Sequence, residues 1–193
     1  MFRSSWVKSG LAVLVLLVCV SAAQTAAPQR APDVPYIPTT EAAVHEMLKL
    51  ASVKSSDLVY DLGCGDGRLV IAAAKEYGAR GVGIDINPDR IREANENARK
   101  SGVENLVRFE ENDLFKADIH EASVVTLFLL NSVNLQLRPK LLQELKPGTR
   151  IVSNTFRMGD WLPEREATVE GTDVKAFLSR KLYLWTVPPH GGN

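Results

Sequence analysis

Cysteine is scarce in this chain, which has only Cys19 and Cys64 among its 193 residues. There is no C-x-x-C pair and no cluster of cysteine with histidine, so the sequence predicts no structural zinc site and no other metal site. Loss of the N-terminal residues would leave Cys64 alone and exclude an intramolecular disulfide. The fold must therefore depend on a hydrophobic core, for which one domain of this length is sufficient.

The chain also lacks an excess of charge of either sign, since 23 lysines and arginines balance 23 aspartates and glutamates. A nucleic-acid-binding domain normally carries a basic patch interleaved with aromatic residues, which here make up only 7% of the chain. The sequence therefore predicts no nucleic-acid partner. It carries no sign of a particular oligomeric state.

No apolar run reaches about 20 residues, the length that crosses a bilayer. Residues 11–20 are apolar, but they follow Arg3 and Lys8 and precede small residues suited to cleavage. This pattern is typical of a secretory signal peptide. We expect residues 1–23 to be a cleaved signal. The alternatives are an uncleaved N-terminal anchor, through which the chain would associate with a membrane, and a misplaced start codon. The expected location is therefore exported (periplasmic) or membrane-anchored.

Beyond the N-terminus, apolar strands alternate with amphipathic helices. Residues 24–35, rich in Ala, Pro and Gln, are expected to form a linker, and residues 36–190 a single domain. Helices are predicted at 41–50, 68–77, 89–100 and 135–145, strands at 57–62, 81–86, 107–111, 124–130 and 149–156, and an antiparallel pair at 167–170 and 174–187. The alternation predicts an α/β fold: a Rossmann-like, doubly wound, mostly parallel seven-stranded sheet with a C-terminal antiparallel strand pair.

The segment at residues 59–67, V-Y-D-L-G-C-G-D-G, is the most informative about function. Its glycines recur as G-x-G-x-G, whereas a dinucleotide-binding loop has its third glycine one position later, where this chain has Arg68. The loop also carries Asp61 and Asp66, which would repel a pyrophosphate. Two carboxylates favour a ligand with positive charge near its reactive end, such as S-adenosylmethionine (SAM), over a nicotinamide dinucleotide.

Acidic residues end three of the predicted strands or directly follow them, namely Asp61, Asp85 and Asp113. In an open α/β sheet the ligand lies beyond the carboxyl ends of the strands, so we expect the three carboxylates to meet one ligand. Asp85 is placed to accept hydrogen bonds from both ribose hydroxyls. Asp113 could accept from the adenine amino group, and Asp61 could hold the ammonium of SAM. A lone aspartate at a strand end is usually a helix cap, but the conjunction of the three with the glycine loop predicts a SAM site.

Three segments carry a resemblance to a known family: P-Y-I-P-T-T at 35–40, V-Y-D-L-G-C-G-D-G-R-L-V-I at 59–71 and G-T-R-I-V-S-N-T-F at 148–156. Across roughly residues 35–187 the chain resembles class I SAM-dependent methyltransferases. More narrowly, it is similar to a lineage with bacterial members and mitochondrial protein-lysine methyltransferases that modify the c subunit of ATP synthase.

The resemblance implies contacts before the glycine loop as well. In the resembling enzymes the preceding segment folds over the cofactor, which implies Tyr36, Thr39 and Thr40 as lid contacts. Glycines in the loop would let the backbone approach the ligand closely. The expected cofactor contacts are Tyr36, Thr39, Asp61, Gly63, Cys64, Gly65, Gly67, Asp85, Ile86, Asp113 and Leu114.

The segment L-L-N-S-V-N after the fourth strand supplies the candidate catalytic residue, Asn131. Its side chain could accept a hydrogen bond from an incoming amine and aim the lone pair, with Ser132 and Asn134 as weaker candidates. The alternative is that Asn131 only caps a helix beginning near Leu135. Adenine N-methyltransferases have an N-P-P-Y/F stretch here, and its absence also argues against nucleic-acid bases as acceptors.

The predicted function is transfer of a methyl group from SAM to a nucleophile, most simply the amine of a protein lysine. The alternatives are a small-molecule O- or N-methyltransferase and a SAM-binding domain without turnover. One conflict stands within these expectations, because SAM is made in the cytoplasm whereas the N-terminus predicts export.

Overall fold

The computed structural model of the chain describes residues 36–169 and 181–189. The predicted signal and linker lie outside the described residues, as does the first part of the strand predicted at 174–187. Nothing in the described range is a helix long and apolar enough to cross a membrane.

Four helices and seven strands make up the described part of the chain. In chain order they are α1 (Glu41–Leu50), β1 (Leu58–Leu62), α2 (Arg68–Tyr77), β2 (Arg80–Asp85), α3 (Pro88–Ser101), β3 (Val107–Glu111), β4 (Val124–Leu127), α4 (Asn131–Glu144), β5 (Arg150–Asn154), β6 (Arg165–Thr168) and β7 (Lys181–Thr186).

The strands form one sheet in the order β3-β2-β1-β4-β5-β7-β6. Strands β1 to β5 pair in parallel, and β7 runs antiparallel to both β5 and β6. The predicted fold class is therefore confirmed. Strands β1 and β4 lie side by side at the centre and are buried along their whole length. The chain reverses its direction of winding between them, and this is where α/β folds bind their ligands.

Both faces of the sheet are covered. One hydrophobic cluster joins the sheet to α1 and α2, with Met47, Leu48 and Val70 fully buried in it. The other joins the sheet to α4, and Leu137, Leu141 and Trp185 are among its fully buried members. Strands buried on both faces read as near-continuous apolar runs, which explains why the central strands show no polar alternation.

The structure differs from the sequence prediction around the end of β4. Helix α4 begins at Asn131, four residues before the predicted start at 135, and β4 ends at Leu127. Leu130 precedes the helix in an extended conformation and makes no side-chain capping bond. The idea that Asn131 caps a helix starting near Leu135 is therefore wrong, because Asn131 is already the first helical residue. The sequence gives no sign of this helix start because no capping side chain marks it.

Candidate active site

A cavity of about 790 Å³ lies beyond the carboxyl ends of β1, β2 and β4. It is lined by Tyr36, Ile37, Pro38, Thr39, Asp61, Gly63, Cys64, Asp66, Arg68, Leu69, Asp85, Ile86, Asn87, Arg90, Asn112, Asp113, Leu114, Leu127, Phe128, Leu129, Leu130 and Phe156. Nine of the eleven predicted cofactor contacts are among these residues. Gly65 and Gly67 are not, and neither is Asn131.

The glycine loop is held against β2 by backbone hydrogen bonds. The N–H groups of Gly63 and Cys64 both donate to the Ile84 carbonyl, at 2.8 and 2.9 Å. The next N–H, from Gly65, donates to Asp85 Oδ2 at 2.9 Å. The loop and the acidic end of β2 therefore form one rigid unit at the floor of the cavity.

Two of the glycines have a packing role that differs from the predicted close approach to a cofactor. A Cβ on Gly65 would lie 2.4 Å from the Tyr36 ring, and a Cβ on Gly67 would lie 2.6 Å from Phe109 and 2.9 Å from Ala94. Gly67 also has φ +80°, a region that favours glycine. Position 67 thus permits the tight contact of helix and sheet that a dinucleotide-binding loop achieves with its third glycine.

Asp61 is buried at the end of β1 without an ionic partner among the described residues. Its Oδ1 accepts a hydrogen bond from the Thr126 hydroxyl at 2.8 Å. Burial, followed by the nearby charges of Asp85 and Asp66, raises the pKa of Asp61 to about 7, although the Thr126 bond opposes the shift. A cationic ligand would stabilise the ionised form of this buried carboxyl, because a nearby opposite charge lowers its pKa.

Asp66, the second acid of the loop, already has a cation beside it. Arg68 donates to it from Nε at 2.9 Å and from Nη2 at 2.5 Å. Burial raises the pKa of Asp66, but the Arg68 guanidinium outweighs this and holds the pKa below its usual value. The expectation that both loop acids repel a pyrophosphate is therefore wrong for Asp66, whose charge Arg68 neutralises. It stays a prediction for Asp61, which has no cationic partner within residues 36–169 and 181–189.

Arg68 also connects the loop to the segment that precedes α1. Its Nη1 donates to the Thr39 carbonyl at 2.6 Å. In the same segment the Tyr36 ring packs on Gly65 and lies 4.5 Å below the Arg90 guanidinium. Thr40 does not line the cavity, and its hydroxyl instead caps α1 by accepting from Ala43 N–H at 3.3 Å. Tyr36 and Thr39 therefore line the cavity, and their role as lid contacts over the cofactor stays a prediction.

The acids after β2 and β3 face the cavity with oxygens that can accept further hydrogen bonds. Asp85 receives one N–H on each oxygen, from Gly65 at 2.9 Å and from Asn87 at 2.9 Å. Each carboxylate oxygen can accept more than one bond, so both can still meet ribose hydroxyls. Asp113 Oδ1 accepts from Phe115 N–H at 2.9 Å, and this fixes its direction at the cavity wall.

The part of the cavity beside β4 and β5, its apolar end, was missed in the sequence analysis. It is formed by Phe128, Leu129, Leu130 and Phe156. The rings of Phe128 and Phe156 are stacked with their centroids 6.2 Å apart and their planes 28° from parallel. The sequence did contain an indication of these residues. The apolar run 124–130 continues three residues beyond β4, and those residues line the cavity.

Asn131 and Asn134, on the first turn of α4, both contact the loop after β5. Asn131 Oδ1 accepts from Arg157 N–H at 3.0 Å. Asn134 is fully buried and donates towards Ser153 Oγ at 3.3 Å. Asn131 does not line the cavity in this structure, and its catalytic role stays a prediction. Within the described residues no group of histidine, cysteine and acidic side chains is arranged to hold a metal ion.

The residues present fit SAM. Asp61 is a buried carboxylate to which the described part of the chain brings no countercharge, so it can pair with a ligand ammonium, and Asp85 presents two acceptor oxygens on the neighbouring strand. A seven-stranded sheet with an antiparallel terminal strand and a cavity of this chemistry define a class I SAM-dependent methyltransferase.

Comparison with known proteins gives the family. Residues 61–165 match the family described as the ANTKMT methyltransferase domain. A protein-lysine N-methyltransferase of Saccharolobus islandicus is 46% identical over 160 residues, which cover 82% of this chain and 97% of that protein. The chain belongs to this methyltransferase family, as the resemblance had indicated.

Two further proteins resemble this chain. The ATP synthase c-subunit lysine N-methyltransferase of Xenopus laevis is 34% identical over 78% of this chain, but the match spans only 66% of that longer protein. A crystal structure described as an RNA methyltransferase from Salinibacter ruber, in complex with S-adenosyl-L-homocysteine, is 51% identical with a TM-score of 0.74, covering 79% of this chain and 94% of that one. The cofactor assignment to SAM is thereby confirmed.

Proposed function

We propose that this enzyme methylates the side-chain amine of lysine in a protein. The observation that carries the proposal is the division of the cavity into an acidic end and an apolar end. Asp61, Asp85 and Asp113 lie at or just after the carboxyl ends of β1, β2 and β3, whereas Phe128, Leu130 and Phe156 follow β4 and β5, which come next in the sheet order. The acidic end accounts for SAM. The apolar end suits an acceptor that reaches the cavity through a hydrocarbon stem, as lysine does with its four methylenes.

The apolar end also favours the reactive form of an amine. Burial in apolar surroundings disfavours the charged ammonium, so an entering lysine would lose its proton more readily there. None of the residues that form this end is titratable, so the proton would leave to water. SAM supplies an electrophilic methyl group with a neutral leaving group, and no acid is needed. The protein then contributes chiefly by positioning, which can supply about 7–11 kcal/mol when the geometry is good.

The exposed apolar side chains around the cavity support the proposal that the acceptor is a macromolecule. Tyr36 is 46% exposed and Leu130 is 40% exposed, and both line the opening. Exposed apolar side chains at a rim can contact the surface around a target lysine. The name of the Saccharolobus relative supports the same acceptor class, since that match spans nearly its whole length.

RNA is the second candidate acceptor, and the observation that favours it is the likeness to the Salinibacter structure, which is described as an RNA methyltransferase. Against RNA, the chain has no net positive charge, and electrostatic attraction to phosphates dominates nucleic-acid binding. A small-molecule amine is the remaining alternative, which the exposed apolar rim does not favour.

The acceptor class can be tested with SAM carrying a radiolabelled methyl group. The purified enzyme is offered a protein extract, total RNA, or free lysine with simple amines. We expect label only in protein, removed by protease but not by ribonuclease, and recovered as methyl-lysine after acid hydrolysis. The Asp61→Asn variant serves as the cofactor-binding control. Label in RNA alone, or in free amines alone, would contradict the proposal.

We further propose that residues 1–23 act as an export signal or as an N-terminal anchor. The support is the basic start followed by the apolar run 11–20. Mass spectrometry of the mature protein's N-terminus distinguishes the two, because cleavage would begin the chain near residue 23 or 24, whereas an anchor would keep Met1. Intact protein recovered entirely from the cytosolic fraction would contradict both. Co-purified SAM or its demethylated product would show that the domain meets its cofactor.

A further inference from the structure

The loop after β5 carries Phe156 in a conformation that needs support. Thr155 has φ +68°, a region that β-branched residues rarely adopt. The Phe156 N–H donates to the Asn154 carbonyl at 2.7 Å, so the chain turns sharply as it leaves the strand. Such a turn persists only when surrounding contacts hold it, and strained residues of this kind cluster at functional sites.

Asn131 holds the loop through the Arg157 N–H at 3.0 Å, and buried support comes from Asn134, one turn into α4. Its Nδ2 lies 3.3 Å from Ser153 Oγ and 3.4 Å from the carbonyls of Phe156 and Arg157. The side chain is 0% exposed, and the described residues provide no hydrogen-bond partner for its Oδ1. A buried amide that leaves its oxygen unpaired is a poor choice for stability alone, and it calls for another reason.

We propose that Asn134 is a positioning residue for methyl transfer: it holds the loop after β5 so that Phe156 faces Phe128 across the acceptor end of the cavity. The proposal rests on the proposed function, because it assigns the apolar end to the acceptor. Asn134 itself does not line the cavity, so it acts through Phe156. The cofactor end is built from other elements, namely β1, β2 and the loop before α1. Substitution of Asn134 should therefore leave SAM binding unchanged.

The first test is a double-mutant cycle on Asn134→Ala and Phe156→Ala, with a lysine-bearing peptide as acceptor. Each single substitution is expected to lower kcat/KM for the peptide about tenfold, and the double variant is expected to lose no more than either, because residues acting as one unit are not additive. The Kd for SAM should stay within about twofold of wild type in all three. Asn95→Ala is the matched control, because Asn95 is exposed and its side chain donates to the Ile91 carbonyl of its own helix.

The proposal would be overturned if the double variant lost kcat/KM by the product of the two single losses. It would also be overturned if SAM affinity fell as much as kcat/KM does. The second test needs no acceptor: crystal structures of the wild type and of Asn134→Leu, which removes both polar atoms at similar volume. We expect the Phe156 ring to leave its place opposite Phe128 in the variant. An unmoved ring would overturn the positioning role whatever the acceptor is. A wild type that labels no protein would instead count against the proposed function alone.

Discussion

Two buried aspartates four residues apart have opposite environments: Asp57 directly precedes β1, and Asp61 is the next-to-last residue of that strand. Asp57, at the amino end, accepts from the Ser123 hydroxyl at 2.8 Å, from Lys54 N–H at 2.7 Å and from Arg150 Nη2 at 2.5 Å. Burial would raise the pKa of Asp57, but these bonds outweigh it and lower the pKa. This carboxylate is satisfied within the protein.

Asp61, at the carboxyl end, has one hydroxyl partner and no ion pair among the described residues, and its pKa is raised to about 7. The two residues stand near the two ends of one short strand, so the difference arises from the groups that neighbouring elements place beside each of them. The described residues neutralise Asp57 and supply no countercharge to Asp61, which lines the cavity. A perturbed carboxyl in a cavity is a marker of function for this reason.

Asp61→Asn tests the ligand side of the comparison and should have the largest effect. The amide can keep the Thr126 hydrogen bond but loses the charge, so SAM affinity is expected to fall on the order of a hundredfold, about 3 kcal/mol. Calorimetric titration measures this. At pH 8 the unfolding free energy of the apo variant should be no lower than that of wild type, because an uncompensated buried charge is removed. Unchanged SAM affinity would refute the assignment of Asp61 to the ammonium.

Asp57→Asn is the matched substitution at the other end of the strand. Loss of the charge facing Arg150 should lower the unfolding free energy by about 2–3 kcal/mol, which urea denaturation can measure. The Kd for SAM should be unchanged when the protein is folded. A variant of wild-type stability with weakened SAM binding would reverse the roles given to the two ends.

Asp85→Ala should weaken SAM binding at least about tenfold through loss of the ribose hydrogen bonds. We expect a smaller effect than for Asp61, because the groups that Asp85 is predicted to bind are neutral hydroxyls. Asp113→Ala offers a comparison on the neighbouring strand. Binding of SAM at wild-type strength by Asp85→Ala would exclude the ribose assignment.

The pH dependence of SAM binding is the smallest expected effect. A cation beside Asp61 requires the ionised form, so affinity should rise about threefold between pH 6.5 and 7.5 and then level off. The unfolding free energy of the apo protein should change in the opposite direction. Because the pKa of Asp61 is higher in the folded state than in the unfolded state, its contribution to the unfolding free energy is present at low pH and is lost as the pH rises towards 7. Titrations in buffers of different ionisation enthalpy should detect proton release on binding at pH 6.5, and Asp61→Asn should release none.

Much of this site could be predicted because its markers are local in sequence. The acids at strand ends and the glycine loop are recognisable from short patterns, and nine of the eleven expected contacts line the cavity. Phe128 and Phe156 were missed because their meeting depends on the turn after β5 and on where α4 begins. Asp66 was misjudged because its neutralisation by Arg68 is a matter of side-chain direction.

The sequence by itself determined the alternation of strands and helices, the parallel sheet and the edge at which the acids gather, because hydrophobic periodicity and turn residues act over a few positions. Only the tertiary structure decided which carboxylates keep an unbalanced charge and which aromatic rings face each other. Those outcomes depend on partners distant in the chain, such as Arg150 beside Asp57 and Thr126 beside Asp61. Burial and countercharge are properties of the packed molecule, so they exist only once the elements have assembled.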